Sequence, residues 1–299
     1  MHEGRDPVVG TPPPEGLVVC RVTRARRPAP RIGHEDLDRG GADLAGVGQA
    51  LHQAPGDRDA EGEVMAYYNK IMNIKSDEEL KLPLNHADAY NGYYFLMKQK
   101  LEEPLSTHSD HYNTNFAYNI NAYSKGEIFL EQLGYIVSDS VRDKILLEYY
   151  KLWRFKHPNA SDFMKVAQDV SGIQLDWYKE YWINTTKSID YGIDSLWGEG
   201  NVSKIRLRRI GQMPMPIDLE LTFKDSTKEI HYISTDLMFG NKPAESNETR
   251  IVHKEWNWTN PTYVVEFNHP LNELTLVEID PSKRMADVDQ KNNTLKLNW

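Results

Sequence analysis

The sequence predicts an α+β fold in which a helical region is followed by an antiparallel β-sandwich. Three observations carry that prediction. Between residues 77 and 184, apolar and aromatic side chains recur at three- and four-residue spacing. After Gly192 the period changes to alternation, with turn residues between short runs. The first 64 residues show neither pattern: they lack Phe, Tyr, Trp and Asn entirely and hold 10 of the 19 glycines. A segment with so few large side chains has little to offset the entropy of ordering, so residues 1–64 are expected to be a disordered, low-complexity arm. A short helical patch around residues 42–52 is the one exception.

Amino-acid usage marks a seam at Met65. Residues 1–64 contain eight arginines and no lysine, whereas residues 65–299 contain seven arginines and 20 lysines. A fusion or a misread upstream frame would produce such a shift, as would a natural low-complexity arm. The chain therefore divides into an arm (1–64), a helical part (65–190) and a β-sandwich (191–299).

Within the helical part, Asp77 and the acids after Ser76 open a first helix. Residues 87–100 carry Tyr90, Tyr94 and Met97 on one side, with Pro104 as the expected stop. From residue 116 to 133, Phe116, Ile120 and Tyr123 share a face that continues through Glu127 and Leu130, and Gly134 reads as the C-terminal cap. Ser138 or Asp139 starts the next helix, with Ile145, Leu146, Tyr149, Leu152 and Trp153 expected on its buried side and His157-Pro158 ending it. Asn159 or Ser161 caps another, closed by Ser171-Gly172, and residues 175–183 form a last, aromatic helix.

Half-buried strands are expected at Ile205, Leu207 and Ile210, at Leu219, Leu221 and Phe223, at Ile230 and Tyr232, at Tyr263, Val265 and Phe267, and at Leu274, Leu276, Val277 and Ile279. The polar run 224–228 reads as a hairpin connection. Trp256 and Trp258 suit either packing or a stacking surface. Arg206, Arg208 and Arg209 form a small basic strip, fit for a carboxylate or for solvent.

Composition excludes several classes of function. A formal charge of −9 with scattered Lys and Arg argues against nucleic-acid binding. Cys20 is the only cysteine, so neither an intrachain disulfide nor a thiolate zinc cluster can form. The apolar runs near the N-terminus are too short for a signal peptide, and no stretch approaches a membrane span. The compartment is left open.

The most informative segment is residues 112–135, YNTNFAYNINAYSKGEIFLEQLGY, centred on Tyr123 in Tyr-Ser-Lys-Gly. With Phe155-Lys156-His157-Pro158, Leu175-Asp176-Trp177-Tyr178, Ile189-Asp190-Tyr191-Gly192 and Met213-Pro214-Met215-Pro216, it resembles the aminopeptidase N family of zinc metallopeptidases over about residues 65–299. The resemblance implies the helical C-terminal part of a gluzincin, thermolysin-like catalytic domain followed by a β-sandwich, and a peptide as substrate. It implies that Tyr123 faces the zinc site. A phenol there donates a hydrogen bond to the carbonyl oxygen as negative charge develops on it during peptide hydrolysis. Read from the residues alone, without that resemblance, Tyr123 is a core tyrosine with a satisfied hydroxyl.

The family's zinc motif, H-E-x-x-H, occurs nowhere in the 299 residues. His2-Glu3 and His34-Glu35 are the His-Glu pairs, and Asp6 and Asp38 stand where a second histidine is required. Zinc belongs to the full-length family, and none is expected on this chain. His108, Asp110 and His111 carry ligand chemistry but read equally as a polar loop. The expectation is thus a distal part of an aminopeptidase, inactive alone, with an exposed helical face open to self-association. A noncatalytic scaffold that binds peptides or a partner is the alternative. Relatives are often exported.

Overall fold

A computed structural model describes residues 86–245 and 250–298. The predicted arm, the helix expected from Asp77 and the His34-Glu35 pair lie outside these residues. The described chain is α+β, with six α-helices followed by eight strands. None of its helices is long and apolar enough to cross a membrane.

Helix α1 spans Ala87–Gln99 and ends at Lys100, whose left-handed backbone (φ 57°) lets its N–H reach back to Leu96 and Met97. The helix thus stops four residues before Pro104, which is not its terminator. After a 3₁₀ turn at Ser109–His111, α2 (Asn115–Ile120) runs through a π turn (Asn121–Lys125) into α3 (Gly126–Val137). The Thr114 hydroxyl accepts from the Ala117 N–H and starts this long helical run. Gly134 is no cap: it lies inside α3, where a Cβ would come 2.6 Å from Asp139 Oδ1 and 2.8 Å from Arg142 Nη1.

Helix α4 (Asp139–Trp153) buries only Ile145 completely. Leu146 and Leu152, expected inside, are 36% and 46% exposed, and Leu147 and Tyr150 are more exposed still. The inner face is instead Val141, Ile145 and Tyr149, the last meeting Phe163 edge-on. The helix ends at Trp153, before the predicted His157-Pro158. Helix α5 (Ala160–Ser171) follows the expected chemistry closely, with an Asn159–Asp162 capping box and Gly172 (φ 68°) as its left-handed cap. Helix α6 (Asp176–Asn184) buries Trp177, Tyr178 and Trp182.

Two sheets follow. One has the order β1-β2-β6, from Tyr191–Glu199, Val202–Arg209 and Thr262–Phe267, all antiparallel. The other has the order β5-β4-β3-β7-β8, from Arg250–Val252, Lys228–Ile233, Ile217–Phe223, Leu274–Ile279 and Thr294–Lys296. Hairpin β3–β4 turns through residues 224–227, as predicted. The sandwich is not purely antiparallel, because β5 pairs with β4 in parallel. Ile210 falls beyond the end of β2 and is 40% exposed, so the β2 face ends at Leu207.

The inward residues of both sheets, among them Ile205, Leu207 and Val265 from one and Leu219, Leu221 and Val277 from the other, join Ile128, Leu133, Ile136 and Tyr178 in one apolar core. Each such side chain removed from water contributes about 1.5–3 kcal/mol, so helices and sheets stabilise one another. Polar contacts reinforce the seam. Lys242 Nζ meets Asp218 Oδ2 at 2.5 Å and donates to the Tyr135 carbonyl at 3.2 Å. Arg284 bridges Asp139 (2.9 Å) and Glu245 (2.7 Å), and within the helical part the Tyr178 hydroxyl donates to the Phe129 carbonyl at 2.6 Å.

Candidate functional site

Tyr123 sits in the π turn with 72% of its surface exposed. The predicted stripe of Phe116, Ile120, Tyr123, Glu127 and Leu130 assumes uninterrupted α-helix. A π turn takes in one extra residue, and every later side chain is rotated by about 100° relative to that stripe. The buried set therefore becomes Ile120, Asn121, Lys125, Ile128, Phe129 and Gln132, and Tyr123 is turned outward with Ala122. That disposes of the reading of Tyr123 as a core tyrosine. Among the described residues, no hydrogen bond holds its hydroxyl.

Its base, by contrast, is firmly anchored. Lys125 Nζ lies 2.5 Å from Glu102 Oε1, and the two side chains are only 2% and 5% exposed. Burial pulls the Lys125 amine below its ordinary range and pushes the Glu102 carboxyl above its own, while each charge opposes the shift of the other. The Lys125 carbonyl accepts from Trp182 Nε1 at 3.3 Å, and Trp182 stacks on Tyr93 with ring centroids 5.6 Å apart. Asn121 Nδ2 donates to the Ala117 carbonyl at 2.9 Å.

Close packing at this turn comes from Gly92 on α1, not from Gly126. A Cβ on Gly92 would lie 2.7 Å from Ser124 Oγ and 3.3 Å from Ile120 Cγ2, whereas one on Gly126 would meet nothing within 4 Å. Inward-facing Asn121, Ser124 and Lys125 thus hold the backbone while Tyr123 projects away from it.

His108, Asp110 and His111 fall on an exposed 3₁₀ turn. His108 Nδ1 accepts from the Asp110 N–H at 3.3 Å, its ring centroid is 5.4 Å from that of His111, and Asp110 Oδ2 is 3.8 Å away. His108 therefore serves as a helix-type cap. Among the described residues, no group of three or more His, Cys, Asp or Glu is placed to hold a metal ion.

Of the remaining sequence candidates, Arg206 and Arg208 lie on the exposed face of β2, and the others are packing residues. Trp256 is buried and donates through Nε1 to the Asn260 carbonyl at 2.9 Å. Trp258 lies under the Arg209 guanidinium, 3.7 Å from its ring centroid, and meets Tyr181 edge-on at 5.5 Å, tying α6 to the sheets. Arg206 is 3.7 Å from Asp194. Sequence reading missed a chain of ionisable groups on the larger sheet. His253 Nε2 is 2.7 Å from His231 Nδ1, His231 Nε2 is 3.3 Å from Glu229 Oε2, and Glu229 Oε1 is 3.1 Å from His269 Nε2. Glu229 and His231, two apart in a strand, were the available signal for a shared face. It missed the Lys125–Glu102 pair as well, because those residues are 23 apart and nothing local joins them.

No protein-family model matches this chain, and no curated protein matches it.

Proposed function

We propose that residues 65–299 are the distal part of an aminopeptidase-type chain that removes N-terminal residues from peptides, with Tyr123 as the donor to the substrate carbonyl oxygen. The metal ligands and the general base would come from sequence other than these 299 residues, so this chain alone is expected to be inactive. The observation that supports this reading is the outward projection of Tyr123, its hydroxyl unengaged, from a turn whose neighbours are fixed in the core. A transition-state donor has to be held in place without being used internally, so that it meets the developing charge at no reorganisation cost. A core tyrosine would be the opposite: buried and hydrogen-bonded.

A second reading, a noncatalytic scaffold for peptides or a partner, is favoured by the apolar residues left exposed on α4. One set of measurements separates the two: zinc content of the purified chain, hydrolysis of an aminoacyl chromogenic substrate, and affinity for a peptide-derived oxyanion analogue before and after Tyr123→Phe. Absent turnover with affinity for the analogue lost in Tyr123→Phe supports the donor role. Analogue affinity unchanged in Tyr123→Phe supports the scaffold. Turnover with one tightly held zinc would overturn the assignment of the metal ligands to other sequence.

A further inference from the structure

Helix α4 carries an apolar strip that the described residues leave mostly uncovered at Leu147 and Tyr150. Leu147 is 62% and Tyr150 63% exposed, with Leu146 beside them. Asp143, Leu147, Tyr150 and Arg154 follow one another at spacings of four, three and four, which places them in a single stripe along the helix. The stripe has the same shape read from either end, except that the charges exchange sign. An acid stands four residues before Leu147, and a base stands four residues after Tyr150. Leu146 and Lys151 flank it with the same symmetry.

We propose that this face pairs two copies of the chain, α4 against α4 and antiparallel, about a two-fold axis passing between Leu147 and Tyr150. Leu147 of each copy then packs on Tyr150 of the other. Asp143 of each faces Arg154 of the other, and Leu146 lies along the aliphatic stem of Lys151. Isologous symmetry makes every contact occur twice, so a single surface supplies two ion pairs around an apolar centre. From Asp143 to Arg154 the stripe runs about 16 Å along the axis. A parallel arrangement would set Asp143 on Asp143 and Arg154 on Arg154, so like charges select the antiparallel one.

The acid is already held for this task. Arg142 Nε and Nη2 grip Asp143 Oδ1 at 3.2 and 3.1 Å, which keeps the carboxylate at the rim of the strip. Phe155, 98% exposed just beyond Arg154, extends the apolar surface past the end of the helix. One helix face per copy is a small interface, so the dissociation constant of the dimer is on the order of 10 µM. The pairing names the self-associating face and does not rest on the role of Tyr123, which is on another element.

Sedimentation velocity of the whole chain over roughly 1 to 100 µM tests it. The native chain is expected to pass from monomer to dimer across that range. Asp143→Arg and Arg154→Asp should each raise the dissociation constant about 10-fold, since each reversal acts twice in the dimer. The double variant should return it to within about 3-fold of the native value. Circular dichroism of all three variants keeps loss of fold apart from loss of pairing. A monomer at every concentration overturns the proposal, and so does a dimer indifferent to both single reversals. Tyr123→Phe should leave the dissociation constant unchanged whatever it does to peptide binding.

Discussion

Lys125 and Glu102 meet at 2.5 Å beneath the π turn, both withdrawn from solvent, with Lys125 two residues from Tyr123, the most exposed tyrosine among the described residues of the helical part. A buried pair of this kind adds little over an apolar pair of the same shape, but either half left alone is an uncompensated charge. Lys125→Met is therefore expected to cost about 3–5 kcal/mol in urea unfolding, and Lys125→Met with Glu102→Leu to recover most of it. If the single variant cost less than about 1 kcal/mol, the pair would not be anchoring the turn.

Tyr123→Phe should be nearly silent for stability. An exposed phenol without an internal partner contributes within about 0.5 kcal/mol, so its melting temperature should match the native chain within error. A larger loss would show that the hydroxyl is used inside the fold and would remove the support for its role as a donor to substrate.

Gly211 is where a single methyl should do most harm. A Cβ there would stand 2.4 Å from the Ser188 carbonyl oxygen and 2.6 Å from the Asp190 N–H nitrogen, and both are backbone atoms that cannot rotate away. Gly211→Ala is expected to destabilise by about 2–3 kcal/mol, with the exit of β2 displaced from the connector at residues 188–190. Denaturant midpoints check the magnitude, and amide chemical-shift changes centred on Ile189 and Asp190 check the place.

Two buried groups should oppose each other across the acid range. Burial, with His253 beside it, lowers the His231 imidazole to about 4, and burial raises the Asp287 carboxyl to about 7 with Asp190 nearby. His231 favours the fold while neutral; its contribution is complete above the ordinary value near 6.5 and is lost as pH falls through about 4. Asp287 favours the fold while protonated; its contribution is complete below about 4 and is lost as pH rises through about 7. The native chain should thus show a shallow stability profile between about pH 4 and 7, with Asp287→Asn falling more steeply on acidification and His231→Gln rising. Identical slopes in all three chains would refute the opposition.

Much of the fold was legible because local chemistry and tertiary role coincided. Asn159 caps α5, Gly172 ends it and the polar run 224–228 turns the β3–β4 hairpin, each through backbone needs that composition announces. Strand β1 escaped notice because five of its nine residues are buried, on both faces, and a register shift between Ile193 and Ser195 breaks the alternation. Gly134 misled because glycine serves close approach as well as caps, and here Asp139 and Arg142 approach it. The outer face of α4 misled because its leucines promise burial whether or not anything covers them. At the candidate site, Tyr123 was legible as a residue but its direction was not, since no composition marks a π turn.

That turn stands one codon away from ordinary helix. Deleting a single residue between Asn121 and Lys125 would restore the α-helical phase and swing the position of Tyr123 toward the protein interior, with the flanking helices left intact. An inherited in-frame loss of three nucleotides would therefore turn an exposed phenol into filler, leaving a descendant that folds like its ancestor with a different surface at that turn.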